Sequence, residues 1–376
     1  MKLAIISHTE HYKTEEGTIV GWGPTISEIN DLASSFSKIY HVAFFYEGTP
    51  PPSALPYTAQ NVTFVPLVPS GGKSWWSKLS ILWTMPKTIC TVSKTLKKVD
   101  CFQLRTPTGI GVYLIPWLTL FTKKKGWYKY AGNWNQKKPP LGYALQRTFL
   151  KNQSRVVTIN GRWPNQPTHC LTFENPCLTN ADRAIGMEVI KNKSYLLPYS
   201  FCFVGRLEDE KGVQRIIDVF AALPDKSWIK NLHFVGNGAK IEAYQNQCRE
   251  ADLPAIFHGF LSREAVFRLY QKCHFLLLPS TASEGFPKVI AEAMNFGCIP
   301  IVSNVSSIGQ YVSKENGFIL DSVTSQNFNS ILNKTVTIQE AILQEKARKG
   351  YLVAQNFTFE RYRIRIYSDI LGGMTH

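Results

Sequence analysis

The sequence lacks any apolar run long enough to cross a bilayer. Its longest, Ile110 to Phe121, is 12 residues, against the roughly 20 that a spanning helix needs. A transmembrane helix is therefore not expected. The apolar stretch at Met1–His8 is too short for a signal peptide, and no small-residue cleavage site follows it. It reads as a first buried strand, and the chain as cytosolic. No pair of the eight cysteines has C-x-x-C spacing and no histidine cluster stands beside them, so neither a zinc site nor a disulfide framework is indicated. Most sit in apolar runs such as Phe201-Cys202-Phe203, where a thiol is a small hydrophobe.

Acidic residues are also scarce over a third of the chain. Between Gly48 and Phe173 there is one, Asp100, against 17 bases. Of the net charge of +15, residues 1–180 carry 20 Lys/Arg against 8 Asp/Glu, and residues 181–376 carry 22 against 19. In the basic stretch lysines alternate with large aromatics: Lys73, Trp75, Trp76, Lys78, Trp83 and Lys87, then Trp117, Phe121, Lys123, Trp127, Tyr128 and Lys129. A solvated face usually mixes both signs, so the missing acids leave either a merely basic solvated face or a partner: nucleic acid, an acidic glycan or an anionic membrane surface. The interleaved tryptophan and lysine favour the membrane, with rings at headgroup depth and ammonium groups on lipid phosphates. No nucleic-acid motif is present, and no nucleic-acid partner is expected.

At 376 residues and 44% hydrophobic, the chain can bury two or three cores. Its second half alternates apolar runs (Phe201–Val204, Leu232–Val235, Ile256–Phe257, Phe275–Leu278, Ile299–Val302, Phe318–Leu320) with helical patterns (Val213–Leu223, Ala239–Glu250, Ser262–Lys272, Pro287–Phe296, Ser306–Val312). Repeated βα units predict a parallel, doubly wound α/β sheet. The first half offers strands at Leu3–Ser7, Val42–Tyr46, Val62–Pro66, Cys101–Leu104 and Val156–Ile159, a helix over about Thr25–Ser37, and a loop at Gly48–Pro56. A break between domains is expected near Thr179–Lys193, and an amphipathic helix over Phe359–Leu371.

Open sheets bind ligands beyond the carboxyl ends of their strands, and four strand ends in the second half carry polar groups. Gly205-Arg206-Leu207-Glu208-Asp209-Glu210-Lys211-Gly212 puts two cations before a helix, suited to a diphosphate. Gly236, in Val235-Gly236-Asn237-Gly238, lets a ligand approach backbone closely, although Ile241 stands where a dinucleotide fingerprint has its third glycine. Gly259-Phe260-Leu261 is a third. In the fourth, Glu284-Gly285-Phe286-Pro287 leads into a helix whose free N–H groups and positive end form an anion site. Glu292, inside that helix, suits the hydroxyl donors of a ribose diol.

The setting E-G-F-P-x-x-x-x-E-A-x-x-x-G, with G-R-L-x-x-x-K-G upstream, resembles retaining glycosyltransferase family 4, the large GT-B family of nucleotide-sugar transferases. The resemblance covers residues 200–320 well and the first half weakly. It implies two doubly wound Rossmann-like domains facing across a cleft: 1–180 binding acceptor, 181–355 binding nucleotide sugar, and a helix at 356–376 crossing back to the first. It implies that Glu292 binds the donor ribose, that Glu284 lies against the donor sugar, that Arg206 and Lys211 hold the diphosphate, and that Gly259-Phe260-Leu261 contacts the base. Gly21 and Gly23, before a helix, stand for the family's glycine loop near the donor. Where the family shows a histidine beside the sugar, the stretch Trp127–Trp134 has none, and Asn133 is the substitute. His8 and His11 read as solvated loop residues.

The implied activity is transfer of a hexose-type sugar, with retention, from a UDP- or GDP-linked donor to a glycan or lipid-linked acceptor. The setting is bacterial surface polysaccharide biosynthesis at the inner face of the cell membrane. No cofactor is expected beyond the co-substrate, and the absence of D-x-D argues against a divalent metal. Two alternatives stay open: an epimerase-like GT-B enzyme, and a non-catalytic nucleotide-sugar-binding protein at the membrane.

Overall fold

The computed structural model describes residues 1–72 and 75–372, with side chains for all of these except 75–79. Of the basic-aromatic stretch, Lys73 and the side chains of Trp75, Trp76 and Lys78 lie outside the described residues. The chain forms two compact units, Met1–Glu174 with Arg361–His376, and Asn175–Glu360.

Unit 1 is built on nine strands: β1 (Lys2–Lys13), β2 (Ile19–Trp22), β3 (Lys38–Phe45), β4 (Ala54–Pro56), β5 (Val62–Leu67), β6 (Cys101–Thr106), β7 (Lys125–Tyr130), β8 (Val157–Ile159) and β9 (Cys170–Thr172). The parallel part runs β5-β3-β1-β6-β7-β8-β9, and β2 and β4 add an antiparallel extension beyond His11. Helices α2 (Trp75–Leu96), α3 (Gly111–Phe121) and α4 (Leu141–Lys151) connect β5 to β8 in turn. Helix α1 (Gly23–Leu32) joins β2 to β3. Two buried clusters result. Phe102, Leu104, Tyr128 and Tyr130 face one, shared with α2, α3 and α4. Cys101 and Trp127 face the other, shared with α1 and with Tyr362, Ile366 and Leu371 near the C-terminus.

That second layer contains a charged cluster. Glu28 of α1, 3% exposed, pairs with Arg105 at 2.8 Å and with Lys129 at 2.7 Å, and accepts a hydrogen bond from the Tyr362 hydroxyl at 2.9 Å. Removing one member of such a buried pair leaves an uncompensated charge, so these residues fasten α12 (Phe359–Arg365) to unit 1 from Arg361 onward.

Unit 2 opens with α5 (Asn180–Asn192), where a break between domains was expected; Thr179 and Asp182 cap it reciprocally. Its sheet holds β10 (Tyr199–Val204), β11 (Ile229–Val235), β12 (Ala255–Phe257), β13 (Phe275–Leu278), β14 (Ile299–Ser303) and β15 (Phe318–Leu320). All pairs are parallel, in the order β12-β11-β10-β13-β14-β15. The intervening helices are α6 (Val213–Ala221), α7 (Ile241–Glu250), α8 (Arg263–Lys272) and α9 (Lys288–Asn295), followed by α10 (Ser325–Thr337) and α11 (Glu340–Ala354). Strands covered on both faces read as continuous apolar runs, which is why Phe201–Val204 and Phe275–Leu278 are legible. Ser306–Val312 is only a short turn, Ile308–Gln310. No described helix is long and apolar enough to cross a membrane.

Candidate functional site

The strand order of unit 2 reverses between β10 and β13, the topological switch point at which open sheets bind ligands. The loops after these two strands carry the first and fourth motifs, and the fold brings them together. Lys211 and Glu284 form an ion pair across the gap. Thr281 N donates to Glu210 O at 2.8 Å, and Arg215 reaches Asp209 O at 2.9 Å and Pro279 O at 3.3 Å. Gly212 has φ +97°, and a Cβ there would stand 2.5 Å from Pro279 O, so only glycine lets the two loops close this tightly. Ser306 Oγ donates to Glu284 O and fixes the far loop from the β14 side.

The loop after β11 packs on the loop after β10. A Cβ on Gly236 would fall 1.9 Å from Gly205 O, at φ +129°. Gly236 N donates to Gly259 O at 2.8 Å, and Leu207 N to Asn237 O at 2.9 Å. Gly236 therefore serves close packing of three strand ends. Gly259 follows β12 at φ +63°, Phe260 is 46% exposed, and Leu261 packs on the core.

Pro287 precedes α9, and no side chain caps that helix. The amides of Gly285 and Phe286 have no backbone acceptor among the described residues, which leaves donors and a positive helix end facing the gap. The Phe286 ring is buried against Phe357 (4.6 Å) and Tyr311 (4.8 Å), so only its backbone is available to a ligand. Arg206 is exposed and pairs with Glu208 at 3.0 Å, outside the Lys211–Glu284 contact.

Glu292 is half-buried in α9 and accepts no hydrogen bond among the described residues. Burial pushes its carboxyl up to about 7, and Asp182 adds to the rise while Arg263 and Lys288 oppose it. Arg263 is held by Asp182 at 2.6 Å and by Cys177 O at 2.8 Å. The motif reading missed Arg263 and Lys288. The usable signal was their place, each at the start of a helix that follows a motif.

In unit 1, Gly21 lies inside strand β2 and Gly23 begins α1, so the stretch expected as a glycine loop is a strand running straight into a helix. The cause is β1, which extends to Lys13 and turns back into β2. A Cβ on Gly21 would stand 2.6 Å from His11 Nε2. His11 is fully buried rather than solvated, bonded to the Tyr57 hydroxyl at 2.7 Å. Asn133 stands beyond β7, where its side chain accepts from Asn135 N at 3.0 Å, a local turn. Of the aromatics expected at an interface, Trp127 and Tyr128 are fully buried, and Lys129 belongs to the Glu28 cluster.

Two Rossmann-like units in one chain define the GT-B fold, and solved structures agree. The complex of Anabaena Alr3699/HepE with UDP superposes with a TM-score of 0.70 over 99% of this chain and 100% of that one, at 15% identity. Within this fold, residues 188–350 match the family model described as "Glycosyl transferases group 1". Among curated relatives, a lipopolysaccharide 1,6-galactosyltransferase of Salmonella typhimurium is 36% identical over 28% of this chain and 30% of its own length. One of Escherichia coli is 30% identical over 47% of this chain and 49% of its own. The chain thus spans about half or less of the length of these relatives.

Proposed function

We propose that this chain is a retaining glycosyltransferase acting in bacterial surface polysaccharide biosynthesis. It moves a hexose-type sugar from a UDP- or GDP-linked donor to a glycan or lipid-linked acceptor. The observation that supports this reading is the switch-point constellation: Lys211 beside Glu284, the start of α9 with no side-chain cap, and Glu292 with no hydrogen bond among the described residues. The galactosyltransferase names of two relatives and the UDP in a structural neighbour support the substrate class.

In the proposed reaction the anomeric carbon–phosphate oxygen bond breaks, and Arg206, Lys211 and the α9 N-terminus stabilise the departing diphosphate. The acceptor oxygen bonds to the same face of that carbon and gives its proton to the leaving phosphate oxygen. Cations and helix end supply the charge, so no divalent metal is required. Glu284 lies against the sugar and Glu292 takes the ribose hydroxyls, while Gly259 and Phe260 face the base. From the family resemblance, Gly21, Gly23 and Asn133 of unit 1 are proposed as further donor contacts. The acceptor places the enzyme peripherally at the inner face of the cell membrane, on anionic lipid.

Thermal shifts with UDP-, GDP- and ADP-sugars identify the donor, because a ligand of the folded state stabilises by mass action. The anomeric proton coupling of the product then tests stereochemistry. Retention is expected, and inversion would reject the mechanism.

A further inference from the structure

Helix α3 is apolar all round, although a helix laid on one face of a sheet needs only one apolar side. Leu114, Ile115 and Leu118 are buried against the sheet, and Tyr113 and Trp117 lie half-buried against the same core. Val112, Pro116, Leu120 and Phe121 are left over. Leu120 and Phe121 are each 74% exposed, and no described element covers them.

The neighbouring helix supplies charge. Val92 and Leu96 of α2 share a core with Ile115 and Leu118 of α3, and Lys124 Nζ reaches Val99 O across the adjoining turns. On its outer side α2 exposes Trp83, Lys87, Cys90 and Lys94, spaced 4, 3 and 4 residues apart and so on one helix face. Trp83 is 84% exposed. Lys97 and Lys98, just past the helix, and Lys123, just past α3, extend the charge. The three helices α2, α3 and α4 contain no acid. The nearest, Asp100, accepts from Lys2 N at 2.7 Å. Other bases of the run serve the fold: Arg105 and Lys129 hold Glu28, and Arg155 bonds Thr119 O and Thr122 O.

We infer that the outer face of the α2–α3 pair lies on an anionic lipid surface, with Leu120, Phe121 and Trp83 among the headgroups and the α2 lysines on lipid phosphates. This deepens the membrane reading of the proposed function and names its surface. The occupant follows from charge complementarity: an apolar strip edged by cations alone matches an apolar layer edged by phosphates. A second copy of the same face would set lysines against lysines.

Vesicle co-sedimentation and a fluorophore on Cys90 test it, since Cys90 is the exposed cysteine while the other seven are buried. The wild-type chain should bind phosphatidylglycerol-containing vesicles and bind phosphatidylcholine vesicles weakly, and the label should shift to the blue only with the former. Lys87→Glu with Lys94→Glu should abolish the preference for anionic lipid. Leu120→Ser with Phe121→Ser should keep the preference and lower binding by at least about a hundredfold, as loss of two buried apolar side chains predicts. Surface changes of this kind leave folding intact, which circular dichroism checks. Transfer to a soluble acceptor should be unchanged in all variants, so a failed docking test and a failed transferase reading are told apart. Equal binding to both vesicles, binding to neither, or a dimer that Leu120→Ser/Phe121→Ser dissociates without any vesicle binding would each overturn the assignment.

Discussion

Lys211 and Glu284 form an ion pair that ties the loop after β10 to the loop after β13. Lys211 is only 12% exposed while Glu284 is 39% exposed, so the ammonium is held in place and the carboxylate can swing away. A diphosphate arriving at the gap would take over the ammonium and free Glu284 for the sugar. Lys211→Ala should weaken nucleotide-diphosphate binding by about 2 kcal/mol, the usual contribution of a hydrogen bond to a charged group. Glu284→Gln should leave the nucleotide diphosphate bound as tightly or more tightly, and lower turnover. Calorimetry with the free nucleotide checks both, and unchanged affinity in Lys211→Ala rejects the diphosphate role.

Glu292 gives a pH dependence with a definite sign. Its carboxyl is raised by burial from 4.5 to about 7. The unfolded chain ionises that group first, so stability is lost as pH rises between these values. Hydroxyl donors favour the ionised form, so donor affinity should rise with pH through about 7. Glu292→Gln should flatten this rise and weaken binding. Titrations at pH 6 and 8 decide it: an equal rise in both proteins would refute the ribose assignment.

Much of unit 2 was legible because its strands are apolar throughout and its glycines mark strand ends where backbone meets backbone, as at Gly212 and Gly236. Unit 1 was harder for a physical reason. Strand β7, Lys125-Gly126-Trp127-Tyr128-Lys129-Tyr130, mixes lysine with aromatics as an interfacial segment does, yet helices cover both of its faces and Lys129 is neutralised by Glu28. Strand β1 carries polar residues from Ser7 onward because its second half leaves the register of β3 and pairs with β2. Helix α5 looked like a linker because it buries only Asp182 and Gly186. No periodicity rule announces ion pairs between distant segments. Glu28 meets Tyr362 across 334 positions.

Lys193 predicts a stability effect remote from the chemistry. Its ammonium is buried beneath the ends of α8 and α9, donating to Tyr270 O at 2.9 Å, to Phe296 O at 3.0 Å and to Cys273 O. A cation there meets the negative ends of two helices. Lys193→Met should unpair three carbonyls and cost about 3 kcal/mol in urea unfolding, and Lys193→Arg should not restore it, because a planar guanidinium cannot match three converging acceptors. A loss below about 0.5 kcal/mol, the range of an ordinary surface change, would contradict this.

The buried histidines of unit 1 set its acid limit. His11 Nδ1 faces two carbonyls, Thr9 O at 3.0 Å and Phe44 O at 3.3 Å, and therefore carries a proton. In the neutral ring Nε2 then accepts from the Tyr57 hydroxyl at 2.7 Å, whose oxygen accepts in turn from His41 Nδ1 at 2.6 Å. His41 Nε2 lies 2.8 Å from Ser7 Oγ, where the register between β1 and β3 shifts. Burial lowers His11 from 6.5 to about 4, and burial, with His11 and Arg105 beside it, holds His41 well below 6.5. The unfolded chain takes protons that the folded one refuses, so stability present above 6.5 is lost as pH falls toward 4. Tyr57→Phe should cost about 2 kcal/mol at pH 7.5 by leaving a buried donor and acceptor unmatched. The ring carbon resonances of His11 and His41 should stay constant in the folded chain from pH 8 to 5. A midpoint near 6.5 for either histidine would show a solvated ring and reject the relay.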